Sequence, residues 1–296
     1  MSIENYLKGY RQYLKLERGL SDNSIDAYLQ DVWKFANFLE ENHSAVSIQN
    51  VQNQHLQDFS KYLTELGLAE RSHLRIHSGI RSFFNYLMEE EIISSNAAAL
   101  WDGPKLSFKL PVVLEHNEVE AMIAQIDLSK PSGERDKAII EVLYAAGLRV
   151  SELINLSLSD VLFEDGLLLV TGKGNKQRLV PLTGTGFKQI RFYLEKTRNH
   201  QEAKENKLFL NARGNRLSRV YIFKLIKDLA ARAGIKKNVS PHTLRHSFAT
   251  VLVDAGADLR AIQQLLGHKS ITTTEIYAHL DRSYLSDTIR SFHPRS

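Results

Sequence analysis

Cysteine is absent from all 296 residues. That excludes disulfides, thiolate nucleophiles and cysteine-ligated zinc. No apolar run approaches the ~18 residues of a membrane span, and the opening MSIENYLKGY lacks the apolar core of a secretion signal. The expectation is therefore a cytoplasmic protein that does not enter a membrane. Internal repeats and low-complexity tracts are also missing. Two familiar sites fail on detail. His242 and His246 have the four-residue spacing of a helical zinc motif, but Thr243 stands where the general-base glutamate belongs. No acidic cluster supplies further ligands, so no metal is expected. The stretch GKGNK (172–176) lacks the G-x-x-x-x-G-K-[ST] spacing of a phosphate loop, and a strand follows it instead of a helix. No nucleotide or other cofactor is expected.

What is present is ordinary in bulk and uneven in distribution. A hydrophobic content of 43% and a length of 296 residues suit two folded cores. The net charge of +4 conceals a division. Residues 1–105 carry 10 lysines and arginines against 14 acids, whereas the remainder carries 28 against 20. A basic second part points to a polyanionic partner, although net charge bears on association and not on fold.

Three-and-four apolar spacing predicts helices over 3–17, 21–41, 52–66 and 71–88, which make a four-helix, all-α bundle in residues 1–102. The fourth helix bears Arg71, His73, Arg75, His77 and Arg81. That row is either a solvated face or a set of phosphate contacts. Residues 103–113, with prolines near both ends of GPKLSFKLP, read as a linker. A second domain, 114–296, begins with helices near 117–124 and 133–146, the latter stopped by Gly147. Arg149 and Glu152 fall in the first turn of the next helix.

Residues 167–182 form a β-hairpin with Lys173 and Lys176 at its tip and Arg178 on its second strand. A helix is expected over 187–200, then a basic loop, then a helix capped by Ser218 that carries Arg219, Tyr221 and Lys224. The segment 240–279 follows. Ser240 caps a helix with Pro241 first, which places His242 and Arg245 on one face near an anion-favouring N-terminus. Gly256 ends it, Asp258 caps another, and Gly267 leaves His268 just outside. A third short helix from Ser270 or Thr272 carries Tyr277. A tail helix is expected over 283–292. Two imidazoles, a guanidinium and a phenol thus share one segment, and the expectation is that they converge on a phosphate.

Taken singly, these residues have plainer readings: Arg149 as an ion pair with Glu152, Lys173 as a solvated tip, His268 as a turn residue, Tyr277 as a core tyrosine. Taken together, GLRVSEL, TGKGNKQRLVPL, HTLRHSFAT, LLGH and TTEIYAH, in this order and at these separations, resemble the tyrosine recombinase (phage integrase) family. The likeness spans essentially the whole chain and is greatest to its Xer branch.

The resemblance implies a mainly helical fold with a small β-sheet, in which a SAM-like N-terminal bundle and a C-terminal catalytic domain clamp duplex DNA in a C shape. It implies Tyr277 as the nucleophile that forms a 3′-phosphotyrosine. Arg149 and Arg245 would bind the non-bridging oxygens, Lys173 would protonate the leaving 5′-oxygen, and His242 and His268 would handle protons and phosphate. Glu152 would orient Arg149 or a neighbouring histidine. Arg71, Arg75, Arg81, Lys176, Arg178, Arg219, Tyr221 and Lys224 are candidates for DNA contacts. Also implied are a double-stranded recombination site, and a homo- or hetero-tetramer with a second Xer-type recombinase in which the tail helix docks on a neighbour. An FtsK-like DNA translocase and a place at the nucleoid belong to the same expectation. A mobile-element integrase with the same chemistry, and a catalytically silent DNA-binding protein on this fold, are the competing readings.

Overall fold

The computed structural model of the chain describes residues 3–103, 112–198, 203–267 and 282–295. Most of the expected linker, the end of the helix expected over 187–200, His268 and the short helix with Tyr277 lie outside the described residues. The chain divides into two compact units, Met1–Lys109 and Leu110–Ser296.

In the first unit the apolar spacing folds as it reads. The helices are α1 (Ile3–Leu16), α2 (Asp22–Asn42), α3 (Asn53–Glu65) and α4 (Glu70–Glu89). Their stripes meet in an aromatic core, with Tyr10 against Phe83 at 5.2 Å and Phe35 against Phe59 at 5.1 Å between ring centroids. Each large side chain buried this way contributes about 1.5–3 kcal/mol. The Tyr10 hydroxyl donates to the Gly79 carbonyl at 3.2 Å, so its polar end is not stranded. Burial pushes that phenol well above its ordinary pKa.

The basic row on α4 does not lie on one exposed face. Arg71 and Arg81 are exposed, but His73 and His77 are buried. The His77 ring lies 4.3 Å from that of Trp101, with its Nε2 2.8 Å from the Trp101 carbonyl oxygen. Arg75 reaches across to α2 and pairs with the buried Asp31 at 2.5 Å. A side chain at Gly79 would come within 2.9 Å of that carboxylate, so glycine admits the pair.

The second unit is built on α6 (Gly133–Ala146), which is buried along almost its whole length, the charged Glu134, Arg135, Asp136 and Glu141 included. Against it pack α8 (Gly184–Lys196) and α10 (Pro241–Asp254), with α5 (His116–Ala124) and α9 (Arg219–Arg232) beside each other. Helix α7 (Val150–Asn155) leads into an antiparallel sheet of β1 (Val161–Leu162), β2 (Leu167–Thr171) and β3 (Gln177–Pro181), in that order. The expected hairpin is β2–β3, while the two-residue β1 is too short to carry a periodic signal. Helix α8 starts at Gly184, ahead of the expected 187, because Thr183 caps it by accepting from the Gly186 amide at 3.2 Å.

Helices α11 (Leu259–Leu266) and α12 (Arg282–Phe292) complete the unit. The tail helix lies against α10, α11 and β3 of its own unit. His293, just beyond it, is buried between Tyr144 and Phe248, and Arg295 pairs with the buried Glu141 at 2.7 Å.

Candidate active site

The site begins where α6 stops. Gly147 takes φ 57° and ψ 31°, the left-handed conformation that ends a helix. A Cβ there would stand 2.4 Å from the Phe248 ring of α10. The turn sends the chain into α7, which Arg149 caps from its N-terminal side. Glu152, three residues on, accepts from the Arg149 amide at 2.9 Å and from its Nη1 at 2.8 Å. The ion pair expected from sequence is therefore real, and it leaves Arg149 with part of its guanidinium open, its side chain 36% exposed.

The start of α10 brings the next two residues. Pro241 occupies the first turn and Ser240 caps it, accepting from the Thr243 amide at 3.4 Å. His242 is exposed at this end, where backbone amides and the helix dipole favour an anion. Arg245, one turn further, is buried. Its Nη1 donates to the Gly147 carbonyl at 2.6 Å and its Nη2 to the Leu266 carbonyl at 2.5 Å. Burial, then the neighbouring Arg149, lower its pKa to about 10, so it stays charged at neutral pH.

Arg149, His242 and Arg245 line one cavity of about 320 Å³, with Arg219 and Phe223 of α9 on its wall. A cavity walled by three arginines, an imidazole and a helix N-terminus is suited to a phosphate: each guanidinium fork matches two oxygens and keeps its charge. The sequence reading did not include Phe223. Its one signal in the sequence is an aromatic on a helix with Arg219, Lys224 and Lys227, and the structure leaves it 42% exposed.

Glu152 is the hub beneath this cavity. Its carboxyl is almost fully buried. Burial alone would raise its pKa, but hydrogen bonds from Arg178 and Arg149 outweigh that and hold it below the ordinary glutamate range. Arg178 chelates it, with both Nη atoms at 2.9 Å. Arg149 Nη2 and Arg178 Nε also donate to the Gly267 and Leu265 carbonyls, at 3.3 and 3.1 Å. Three guanidiniums therefore meet the C-terminal carbonyls of α11, the end of a helix that favours cations.

Lys173 lies at the hairpin tip, in the turn Lys173–Asn175 where Gly174 takes φ 74°. Lys176, Arg219 and Lys224 are exposed, as DNA contacts would have to be. Three other candidates are each engaged with a buried carboxylate, Arg75 while still 44% exposed and Arg178 and Tyr221 only partly exposed. Arg75 holds Asp31, Arg178 holds Glu152, and the Tyr221 hydroxyl donates to Asp136 at 2.8 Å beside Arg135. An unpaired carboxylate in those places would be far costlier than a lost surface cation.

Known proteins resemble this chain in sequence and in fold. The Phage integrase family profile matches residues 112–283, and that of the phage integrase N-terminal SAM-like domain matches residues 7–91. Tyrosine recombinase XerD of Staphylococcus saprophyticus subsp. saprophyticus is 43% identical over 99% of this chain and 99% of its own. That of Staphylococcus aureus strain Mu50 is 40% identical over 99% and 100%. Among solved structures, XerH site-specific recombinase in a post-cleavage complex with palindromic difH superposes with a TM-score of 0.74 at 26% identity, covering 95% of this chain and 83% of that one. The Tn1549 transposon integrase bound to circular intermediate DNA shares the fold, with a TM-score of 0.72 at 20% identity over 90% and 92%.

Proposed function

The chain belongs to the phage integrase family as a site-specific tyrosine recombinase of the Xer type, and from that premise we propose that it cleaves and rejoins duplex DNA through Tyr277 to resolve chromosome dimers. The observation that carries the reading is the shared cavity of Arg149, His242 and Arg245. A phosphodiester seated there meets two fixed positive charges where the transition state gathers negative charge on the non-bridging oxygens. In this reading the Tyr277 oxygen attacks phosphorus and the 5′-oxygen departs with a proton from Lys173. The phosphate remains a diester, now joined to tyrosine. Attack by another strand's 5′-hydroxyl reverses the step, so the bond energy is kept and no ATP is needed. His242 and His268 take and return the phenolic proton in this reading, an imidazole being able to accept and donate in turn.

DNA binding rests mainly on phosphate contacts. With Lys176, Arg219 and Lys224 among them, log Kd against log salt has a slope of roughly 0.9 per phosphate neutralised. Assembly is a tetramer on two sites with a second Xer-type recombinase, under the control of an FtsK-like translocase at the nucleoid. The test is a nicked suicide duplex carrying a labelled strand. A covalent protein–DNA adduct is expected from the wild type and none from Tyr277→Phe; an adduct that survives the substitution sinks the mechanism. A mobile-element integrase would give the same adduct, and the target sequence separates the two.

A further inference from the structure

Arg178 is the arginine of this site that does not line the cavity, yet it touches three of its supports. It stands on β3 opposite Val170 of β2, whose side chain is buried, so the strand aims it at the protein interior. Its two Nη atoms take one oxygen each of Glu152, and its Nε takes the Leu265 carbonyl at the end of α11. Its stem packs on Gly267, where a Cβ would come within 3.2 Å of Cδ, Nε and Cζ. Each Glu152 oxygen also accepts from Arg149, Oε1 from Nη1 and Oε2 from the amide. The carboxylate is thus held by two arginines, and only one of them lines the cavity.

We propose that Arg178 is a positioning residue for strand cleavage: by chelating Glu152 and gripping the end of α11, it fixes where the Arg149 guanidinium stands relative to the scissile phosphate. This rests on the phosphate-binding role of Arg149 given above. Without Arg178, the buried Glu152 carboxylate keeps a single arginine and loses two charge-assisted hydrogen bonds. The carboxylate then turns toward what remains or takes up a proton, and Arg149 follows it. A displacement on the order of 1 Å in a group that holds reacting atoms costs about 10²-fold in rate.

The test uses the full chain and two suicide duplexes, one with an ordinary scissile phosphate and one with a methylphosphonate. The methyl group removes one charged oxygen, so that substrate asks less of the guanidiniums. Relative to the wild type on the same substrate, Arg178→Ala is expected to cleave the phosphate duplex about 10²-fold more slowly. The deficit should shrink to roughly tenfold or less on the methylphosphonate, with DNA affinity within about threefold of wild type. Arg178→Lys, which keeps the charge but not the fork, should fall between, and it carries the same comparison should the alanine variant fail to fold. Equal losses on both substrates would mean a structural role only. Weaker DNA binding with a salt slope lower by about one would mean a direct phosphate contact. Either result overturns the proposal while leaving the recombinase reading intact. A wild type that forms no Tyr277-dependent adduct removes both.

Discussion

Substituting Gly147 by alanine tests how the site is anchored to the core. Two costs add at this position. An L-residue held at φ 57° pays about 1–2 kcal/mol for the left-handed conformation. The new methyl group would also stand 2.4 Å from Phe248 Cδ1 and 2.8 Å from Cε1, within a ring that is fully buried. Overfilling a packed core in this way costs about 1–3 kcal/mol more. The sum, about 2–5 kcal/mol, should lower the melting temperature of the second unit by roughly 5–15 °C. Gly234→Ala is the control, since Gly234 has φ +72° in the same unit with nothing within 4 Å of its would-be Cβ. It should show only the first cost. Scanning calorimetry of both variants isolates the steric part by difference, and Phe248→Leu combined with Gly147→Ala should restore some of it through a coupling of about 0.5–3 kcal/mol. Because the Gly147 carbonyl accepts from Arg245, adduct formation should also slow. If Gly147→Ala melts no lower than Gly234→Ala, the close approach of α6 and α10 is not what holds this turn.

Two further outcomes follow from buried charges. Burial lowers the His293 pKa from 6.5 to about 4; because the folded value lies below the unfolded one, its stabilising contribution is complete above pH 6.5 and is lost as pH falls toward 4. That window corresponds to about 3 kcal/mol. The surrounding groups are His116, Tyr144, Arg295, Glu120 and Glu141, and the raised Glu141 carboxyl acts in the opposite sense. Thermal melts from pH 7 to pH 4 should therefore be compared between wild type and His293→Phe, and equal acid sensitivity would refute the assignment. Arg75→Ala should destabilise the first unit by about 3 kcal/mol, by stranding Asp31, and leave the salt dependence of DNA binding unchanged. A salt slope reduced by one with the melt unaffected would return Arg75 to the DNA contacts.

Much of this was legible in the chain because local rules dominate it. Apolar spacing located the four helices of the first unit. Ser240, Asp258 and Ser218 cap α10, α11 and α9 as their types suggest, and each accepts from a backbone amide. Arg149 and Glu152 were within reach of each other by their three-residue separation alone. Pairings between distant elements were not legible. Arg178 and Glu152 are 26 residues apart, and nothing local joins them.

A signal existed nonetheless. In the hairpin register Val180 faces Leu168 and Arg178 faces Val170, so alternation places this arginine on the buried side. On α4, His73 and His77 fall at three-and-four spacing with Ile76, Ile80 and Phe84, and that spacing, more than their polarity, decides where they point. A charged or polar residue in an apolar register asks for a buried partner, as Glu152 is for Arg178 and the Trp101 carbonyl is for His77.

The arginine cluster under the cavity has a consequence for the whole reaction cycle. Arg149, Arg178 and Arg245 gather around a single carboxylate, with carbonyls of Gly147, Leu265, Leu266 and Gly267 supplying the remaining acceptors. The group carries surplus positive charge, so in the proposed reaction the scissile phosphate is a missing counter-ion as well as a reactant. A phosphodiester has one negative charge, and so does the phosphotyrosyl diester that would replace it. Cleavage and rejoining then leave the charge balance beneath the cavity unchanged, and the surplus returns only when the DNA departs. In a strand exchange that must pause with broken ends, that constancy makes the covalent state as well held as the intact one.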